Sequence, residues 1–412
     1  MTRDTHSCST HPKVKKLRSP QAVDAISASI PDADWNDEIE EDVNIADLSA
    51  LKIYSRDWTI ETIHNQISQQ NIDLNPKFQR RNAWTDDRRS KLIESLIIGL
   101  PVPEIVLAEH PVKQKSFIVI DGKQRLLTIA GFIDPTVNYW KKAQLGNLKL
   151  RPDLKGATYD RLQAGGGSED DFRKFLNADI RCTVVSNVKS SDVLYDIFYR
   201  LNTGSVPLST QELRQVLHKG DFADYLIEIT NTLQPIHRVL GLNGPDARLR
   251  DAEIVLRFIS LLLFAATYRG NLKLFLDDSM RVVTADWATF STKVKACYKE
   301  LNKAITLLTD VFGSNLVGRK YVDGDWESRF NRVLFEVEAF YFRLLPDGTI
   351  TTRTKRKFLD GFKKLCDKNS DFRNSIEATT KTNERYETRF RLFQELINES
   401  FGVDLQTIPI RA

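Results

Sequence analysis

Apolar residues in the second half of the chain recur at spacings of three and four positions, which is the period of an amphipathic helix. The longest apolar stretch, residues 254–266, contains Arg257 and is shorter than the ~20 residues that span a bilayer, so it predicts a buried helix. The chain after about residue 190 is therefore expected to be mostly helical. The predicted helices are 192–201, 210–218, 252–266, 290–311, 329–345 and 355–368.

The first half of the chain mixes helical spacing with short apolar runs that are typical of strands. Thr85 precedes two aspartates that favour a helix start, while Gly99 and Pro101 predict where that helix ends. The fold class is therefore predicted to be α+β, followed by a mostly helical C-terminal domain. The predicted elements are helices 60–68, 85–100 and 126–132 and strands 104–109, 116–120 and 180–185, the first two strands being paired.

Residues 1–45 differ in composition from the rest of the chain. Basic residues cluster at 13–18 and acidic residues at 32–42, with few apolar side chains between them. Burial of so few apolar groups would not offset the entropy lost on ordering, so we predict a solvated tail. An acidic arm that covers a basic groove is the alternative. We divide the chain into this tail, an α+β domain over 46–220 and a helical domain over 221–412.

Charge and cysteine usage narrow the class of protein further. The 59 Lys and Arg residues nearly balance the 55 Asp and Glu residues, for a net charge of +4, which argues against a nucleic-acid coat or a polybasic membrane binder. A local basic groove remains compatible with this balance. The four cysteines are far apart and form no C-x-x-C motif, and the N-terminus has no apolar run. We predict a cytoplasmic protein without membrane anchor, disulfide framework or structural zinc site.

The stretch from Phe117 to Ile129 is the most informative one for chemistry. An apolar strand runs into Asp121 and Gly122, and the basic residues Lys123 and Arg125 follow where a helix starts. A helix start offers unpaired N–H groups and the positive end of a dipole, glycine permits close approach, and arginine can hold two oxygens at once. We predict a phosphate site here. An ordinary Asp-Gly turn with surface charges is the alternative.

Further polar groups suit the same chemistry. The Asp121 carboxylate could hold a metal ion or orient a base, and the Gln124 amide can donate or accept toward a water or a sugar. Upstream, Gln79 and Arg80 lie in a basic loop between two aromatic residues, for which a solvated loop is the alternative reading. A third segment, residues 196–214, contains two more polar residues that could contact phosphate, Arg200 and Asn202.

The segment 196–214 also contains the sequence S-T-Q-E, which predicts a capping box formed by Ser209 and Glu212. In a capping box the two side chains bond each other's backbone N–H groups at the start of a helix. This structural role accounts for Glu212 without any chemistry.

These segments follow one another in an order that resembles a known family. The motifs are N-P-x-F-Q-R from residue 75, L-I-E-S-L-I-I-G-L-P-V-P from residue 92, D-G-K-Q-R-L-L-T-I from residue 121, and F-Y-R-L-N-T-G with L-S-x-Q-E-L-R from residue 198. They resemble the N-terminal, GmrS-like domain of the GmrSD anti-phage restriction systems (domain-of-unknown-function family 262), which is similar in fold to ParB and sulfiredoxin. The usual signature is D-G-Q-Q-R, so Lys123 stands at the first glutamine.

The resemblance implies that the D-G-x-Q-R loop binds a nucleoside triphosphate with Mg²⁺ and hydrolyses it. Asp121, Gln124 and Arg125 are then the catalytic residues, and Asp121 is also the metal ligand. Lys123 keeps a positive charge for phosphate, whereas placing the attacking water falls to Gln124 or Asp121. The expected nucleotide-binding residues are Gln79, Arg80, Gly122, Lys123, Arg200 and Asn202.

DNA is the second expected partner. Lys355, Arg356 and Lys357 form a basic surface that we predict binds DNA phosphates, with a merely solvated helix face as the alternative. No histidine follows His237, so the HNH-like nuclease module of such systems is expected on a separate partner. A homo-oligomer is also compatible with the sequence.

These expectations combine into one functional hypothesis. The protein is expected to be the nucleotide-binding and NTP-hydrolysing component of a prokaryotic restriction system, in which the state of the nucleotide controls DNA engagement. Two alternatives stay open at this point. One is a non-catalytic DNA-binding sensor or regulator, and the other is a DNA-nicking enzyme that uses the D-G-K-Q-R site itself.

Overall fold

The structure is a computed structural model of the chain. It describes residues 49–72, 74, 84–110, 113–146, 148–165, 169–188, 193–194, 197, 209–377 and 382–405. The predicted tail over 1–45 and the residues Gln79, Arg80, Arg200 and Asn202 lie outside these ranges, as does most of the predicted helix over 192–201.

A four-stranded sheet forms the centre of the first half of the chain. Its strands are β1 Lys52–Thr59, β2 Ile105–Glu109, β3 Phe117–Asp121 and β4 Asp179–Ser186, in the order β1-β4-β2-β3. β2 and β3 pair antiparallel, as the sequence predicts, and β2 runs parallel to β4. The remaining pair, β1 with β4, is antiparallel.

Both faces of this sheet are buried at β2 and β3. Alternate residues of a strand point to opposite faces, so Ile105 and Leu107 of β2 enter one core while Val106 and Ala108 enter another. This two-sided burial explains why β2 and β3 are almost continuously apolar. The helices of the first half are α1 Ile60–Ser68, α2 Asp86–Ile98, α3 Lys123–Ile133, α4 Tyr159–Gln163, α5 Glu169–Leu176 and α6 Thr210–Leu217.

The second half of the chain is almost entirely helical in the residues described. Its large core is rich in aromatic contacts, among them Phe312 with Phe362 and Tyr386 with Phe390. The helices are α7 Asp221–Thr230, α8 Pro235–Val239, α9 Arg250–Phe264, α10 Leu272–Ala285, α11 Trp287–Phe312, α12 Arg332–Phe342, α13 Thr352–Lys368, α14 Ser370–Glu377 and α15 Asn383–Phe401. A short hairpin, β5 Tyr321–Val322 and β6 Asp325–Trp326, is inserted between α11 and α12.

The predicted fold class is confirmed: a small sheet with helices comes first, and a mostly helical half follows. Thr85 and Gly99 cap α2 as predicted, Thr85 by accepting from the backbone N–H of Arg88 and Gly99 by adopting a left-handed conformation. The likeness to the ParB and sulfiredoxin fold and the domain boundaries stay predictions.

Among the helices described, none combines the length and the apolar character needed to cross a membrane.

Candidate functional site

The D-G-K-Q-R loop (residues 121–125) turns directly from β3 into α3. Gly122, the only residue between the two elements, has φ +95°, a left-handed conformation that side chains disfavour. A Cβ at this position would also lie 2.9 Å from Cγ1 of Ile105. Glycine is therefore required here twice, once by its conformation and once by the closeness of β2.

The start of α3 has no side-chain cap in the part of the chain that the structure describes. Thr59, Thr85 and Ser209, by contrast, each accept a backbone N–H at the start of α1, α2 and α6. The first N–H groups of a helix have no partner within the helix, and they lie at its positive end. The loop thus presents an uncapped helix start, which is an arrangement that suits an anion.

Arg125 is engaged in two short contacts within the protein. Its Nη2 donates to Oδ2 of Asp121 at 2.6 Å and to the backbone carbonyl of Glu104 at 2.7 Å. The Arg125 side chain is 8% exposed and that of Asp121 is 22% exposed. Arg125 therefore fastens the loop to the chain just before β2, and its role as a phosphate clamp or catalytic residue stays a prediction.

Lys123 faces the start of α6. Its Nζ lies 3.6 Å from Oε1 of Glu212, and Nε of Arg248 lies 3.6 Å from the other carboxylate oxygen. The predicted capping box is confirmed, since Ser209 and Glu212 bond each other's backbone N–H groups. The hydroxyl of Ser209 donates to the backbone carbonyl of Arg248 at 2.5 Å. Arg248 is thus a neighbour of the site that sequence reasoning missed.

The side-chain amide of Gln124 has an unpaired oxygen in the part of the chain that the structure describes. Its side-chain oxygen is shielded from solvent and has no hydrogen-bond partner among the described residues. Its backbone carbonyl accepts from the hydroxyl of Thr128, one turn further along α3, at 2.7 Å. The predicted role of Gln124 toward a water stays a prediction.

The remaining predicted members of the nucleotide site cannot be joined to this geometry. Gln79, Arg80, Arg200 and Asn202 lie outside the described residues. Their meeting with the D-G-K-Q-R loop therefore stays a prediction.

A metal ion would have one carboxylate at this loop. No group of three or more His, Cys, Asp or Glu residues that could hold a metal occurs within the described residues. Mg²⁺ bound with nucleotide phosphates needs only one or two protein carboxylates, and it keeps several waters. The partly exposed carboxylate of Asp121 fits such a single-ligand role, and the Mg²⁺ site stays a prediction.

The predicted DNA-binding residues lie on the first turns of α13. Lys355 donates to the backbone carbonyl of Asp310, and Lys357 donates to that of Glu399 at 2.7 Å. Arg356 is exposed. Two of the three cations thus hold neighbouring helices together while they stay near the surface.

The structure adds a row of lysines on α11 that sequence reasoning missed. Lys295, Lys299 and Lys303 are exposed and follow one another at intervals of four residues, so they share one face of the helix. Lys303 donates at 3.4 Å to the backbone carbonyl of Leu345, which lies between α12 and α13. The four-residue spacing was the sequence signal that could have found them.

Comparison with known proteins agrees with the motifs. Residues 60–219 match the family model described as GmrSD restriction endonuclease, N-terminal domain, and comparison with curated proteins gave no match. The matched range contains the D-G-K-Q-R loop and all of α6, and it ends before Arg248 and the lysines of α11 and α13. The family resemblance that the sequence motifs indicate is therefore confirmed over residues 60–219, which match the GmrSD restriction endonuclease N-terminal domain.

Proposed function

We propose that this protein is a component of a prokaryotic DNA restriction system that binds a nucleoside triphosphate with Mg²⁺ at the D-G-K-Q-R loop and hydrolyses it. The family of residues 60–219 supports a role in restriction. The observation that carries the nucleotide part is the uncapped start of α3, with Lys123 on its first turn and Gly122 bringing the backbone close.

The chemistry of phosphoryl transfer fits such a loop. Catalysis in this reaction is mostly positioning and neutralisation of charge. Backbone N–H groups at the start of α3 would bind phosphate oxygens, and Lys123 would neutralise them. Mg²⁺, when bound at Asp121, supplies further neutralisation of the phosphates. Gln124, whose side-chain oxygen has no partner among the described residues, would orient the attacking water.

Arg125 has a different first task in this proposal. Its contacts with Asp121 and the Glu104 carbonyl keep the carboxylate beside the helix start. Arg125 would reach a phosphate only after its bond to Asp121 opens. It is therefore a positioning residue in the state described.

The remaining parts of the proposal concern DNA and partners. We place the protein in the cytoplasm, where nucleotide and DNA are both present. The lysines of α11 together with Arg356 would bind DNA phosphates, and a separate nuclease would cut. The state of the nucleotide would control this engagement, and a homo-oligomer is one assembly in which it could occur.

The test is a phosphate-release screen of the full chain with four nucleoside triphosphates and Mg²⁺, with and without DNA. We expect release with at least one nucleotide and a loss of about 100-fold in kcat/KM for Lys123→Gln, the scale of one preorganised donor. The exposed Lys141 gives the matched control Lys141→Gln, which should retain the wild-type rate. No release with any nucleotide, or equal rates in both variants, contradicts hydrolysis at this loop.

One observation favours a second candidate, a non-catalytic DNA-binding sensor that uses the same loop. Arg125 already forms an ion pair with Asp121, so its charge is not free to stabilise a transition state. This arrangement fits a site that holds a ligand without turnover. This candidate predicts nucleotide binding without phosphate release, together with a DNA affinity that falls with salt.

A further inference from the structure

Helix α6 contacts three separate parts of the molecule. Leu213 is fully buried in the core on one face of the sheet, and Glu212 approaches Lys123 of the D-G-K-Q-R loop. On the other side, Nε of Arg214 donates to Oδ1 of Asp277 on α10 at 2.6 Å. One short helix therefore touches the loop, the sheet and the helical half.

The carboxylate of Glu212 lies between two cations from different halves of the chain. It is 3.6 Å from Lys123 on the loop and 3.6 Å from Arg248, which lies just before α9. The three side chains are only 11–13% exposed. These separations exceed ordinary hydrogen-bond lengths, so charge attraction under weak solvent screening is the main interaction.

On the face of α6 that carries Gln211 and Gln215, several side-chain amide atoms lack hydrogen-bond partners among the described residues. Both side chains are fully buried, and Nε2 of Gln211 and both amide atoms of Gln215 have no hydrogen-bond partner among the described residues. Buried polar atoms are normally paired, and leaving them unpaired costs free energy. The oxygen of Gln211 accepts from Nη1 of Arg214 at 2.8 Å, so three amide atoms on this face stay unpaired within the described part of the chain. A displacement of α6 would therefore break no hydrogen bond of these three atoms.

We infer that Glu212 couples phosphate binding at the D-G-K-Q-R loop to the position of the helical half, an inference that rests on the proposed nucleotide site. A polyphosphate at the start of α3 attracts Lys123 and repels the Glu212 carboxylate. Glu212 then retains Arg248 as its cation, and α6 moves with it relative to the sheet. The displacement reaches α9 through Arg248 and α10 through Arg214.

Thermodynamic linkage makes this coupling reciprocal. If phosphate binding changes the position of α9, then any ligand that prefers one position of α9 changes the affinity for phosphate by the same factor. Glu212 thus has a regulatory role in addition to its capping role.

The test uses Glu212→Gln in the full chain. Glutamine also serves at this position of a capping box, so the variant keeps the cap and loses the charge. The probe is inorganic tripolyphosphate with Mg²⁺, measured by calorimetry, together with hydrogen exchange over residues 246–257. We expect tripolyphosphate to change exchange in that segment of the wild type. Glu212→Gln should bind the probe about 5–10-fold more tightly, at the low end of typical couplings, and should lose the exchange response.

Two further variants separate coupling from damage. Arg248→Gln leaves Lys123 as the one cation beside Glu212 among the described residues, so Glu212 should hold Lys123 more strongly and the probe should bind more weakly, which is the opposite direction. The exposed Glu228 on α7 provides the control Glu228→Gln, which should match the wild type in both measurements.

The outcomes distinguish this inference from the proposed function. If the wild type does not bind tripolyphosphate, both the nucleotide site and the coupling are overturned. If the wild type binds it, but Glu212→Gln and Arg248→Gln bind it equally and keep the exchange response, the coupling alone is overturned.

Discussion

The D-G-K-Q-R loop and the core of the helical half both enclose charged side chains, but they surround these charges differently. In the helical half, Glu253 on α9 accepts from Arg332 at 3.1 Å and lies 3.5 Å from Arg257, which also bonds Glu336. In the loop, Lys123 and Arg125 stand at an uncapped helix start beside Asp121.

The charges of the helical half have a structural role, whereas those of the loop are placed where a ligand could bind. The network consists of four side chains on α9 and α12 that are each at most 9% exposed and form ion pairs with one another: Glu253, Arg257, Arg332 and Glu336. A buried network of this kind mainly avoids leaving a charge unpaired. The loop adds two cations to a helix start that is itself positive, but Arg125 is paired with Asp121 and Lys123 lies 3.6 Å from Glu212. An anion bound there would therefore be attracted by the helix start and would compete with these carboxylates for the two cations.

Breaking the buried network should have the largest effect on stability. Glu253→Ala leaves the buried Arg257 and Arg332 without their shared carboxylate, so we expect a loss of about 3–5 kcal/mol in the free energy of unfolding. Chemical denaturation measures this loss. The exposed Glu387→Ala on α15 is the control and should change stability little. Equal effects of the two variants would refute the structural interpretation of the network.

Glu338 is a buried carboxyl of the helical half whose pKa is set mainly by burial and less by its neighbours. This carboxyl is fully buried on α12 and accepts from the backbone N–H of Gly318 at 2.8 Å. Burial raises its pKa to about 8, against the smaller effects of that hydrogen bond and of Arg319. The folded state thus holds a proton that the unfolded state releases near the ordinary pKa. The stability that this provides is present at low pH and is lost as the pH rises toward 8.

Removing the charge of Glu338 should therefore stabilise the protein at high pH. We expect Glu338→Gln to exceed the wild type by on the order of 2–4 kcal/mol at pH 8, and to approach it near pH 5. Urea unfolding at several pH values measures the difference. A constant difference across this range would show that Glu338 keeps its ordinary pKa.

Gly122 tests the geometry of the loop itself. Gly122→Ala introduces both a left-handed alanine and an overlap with Ile105, so we expect a loss of about 2 kcal/mol, of which 1–2 kcal/mol is conformational. Gly99→Ala at the end of α2 is a matched control, since its φ is +81° and a Cβ there meets nothing within 4 Å. A loss at Gly122 no larger than that at Gly99 would mean that the approach to β2 imposes no constraint.

The lysine row on α11 predicts the smallest effect. Lys299→Gln should remove about one phosphate contact and lower the slope of log affinity for DNA against log salt by about 1. Titrations at several salt concentrations measure this slope. The control is Lys141→Gln, an exposed lysine in the first half of the chain. An unchanged slope for Lys299→Gln would exclude this row from the DNA surface.

The sequence predicted elements whose apolar pattern is strong and local. β2, β3 and β4 were found because burial makes them apolar, and α2 was bounded correctly by Thr85 and Gly99. β1 was missed, since it is an edge strand whose residues are mostly exposed, and so its sequence carries little apolar signal.

In the candidate site, too, the local features could be predicted from the sequence, whereas the contacts between distant segments could not. The strand, the glycine and the cations of the D-G-K-Q-R loop are local, so their proximity could be predicted, as could the capping box of Glu212. The start of α3 was placed three residues late, because Lys123 and Gln124 lack the apolar spacing that marks a helix. The approach of Arg248 to Glu212 depends on how two distant segments fold together, and no local pattern encodes it.

In the proposed function, the start of α3 binds polyphosphate through its backbone N–H groups. Residue-resolved hydrogen exchange of the full chain, saturated with a hydrolysable nucleoside triphosphate and Mg²⁺, tests this most directly at the backbone N–H groups of Lys123, Gln124 and Arg125. We predict that these three amides exchange more slowly once the nucleotide is bound, because they donate to phosphate oxygens. If nucleotide binds while the exchange of these amides stays unchanged, the start of α3 is not the phosphate site.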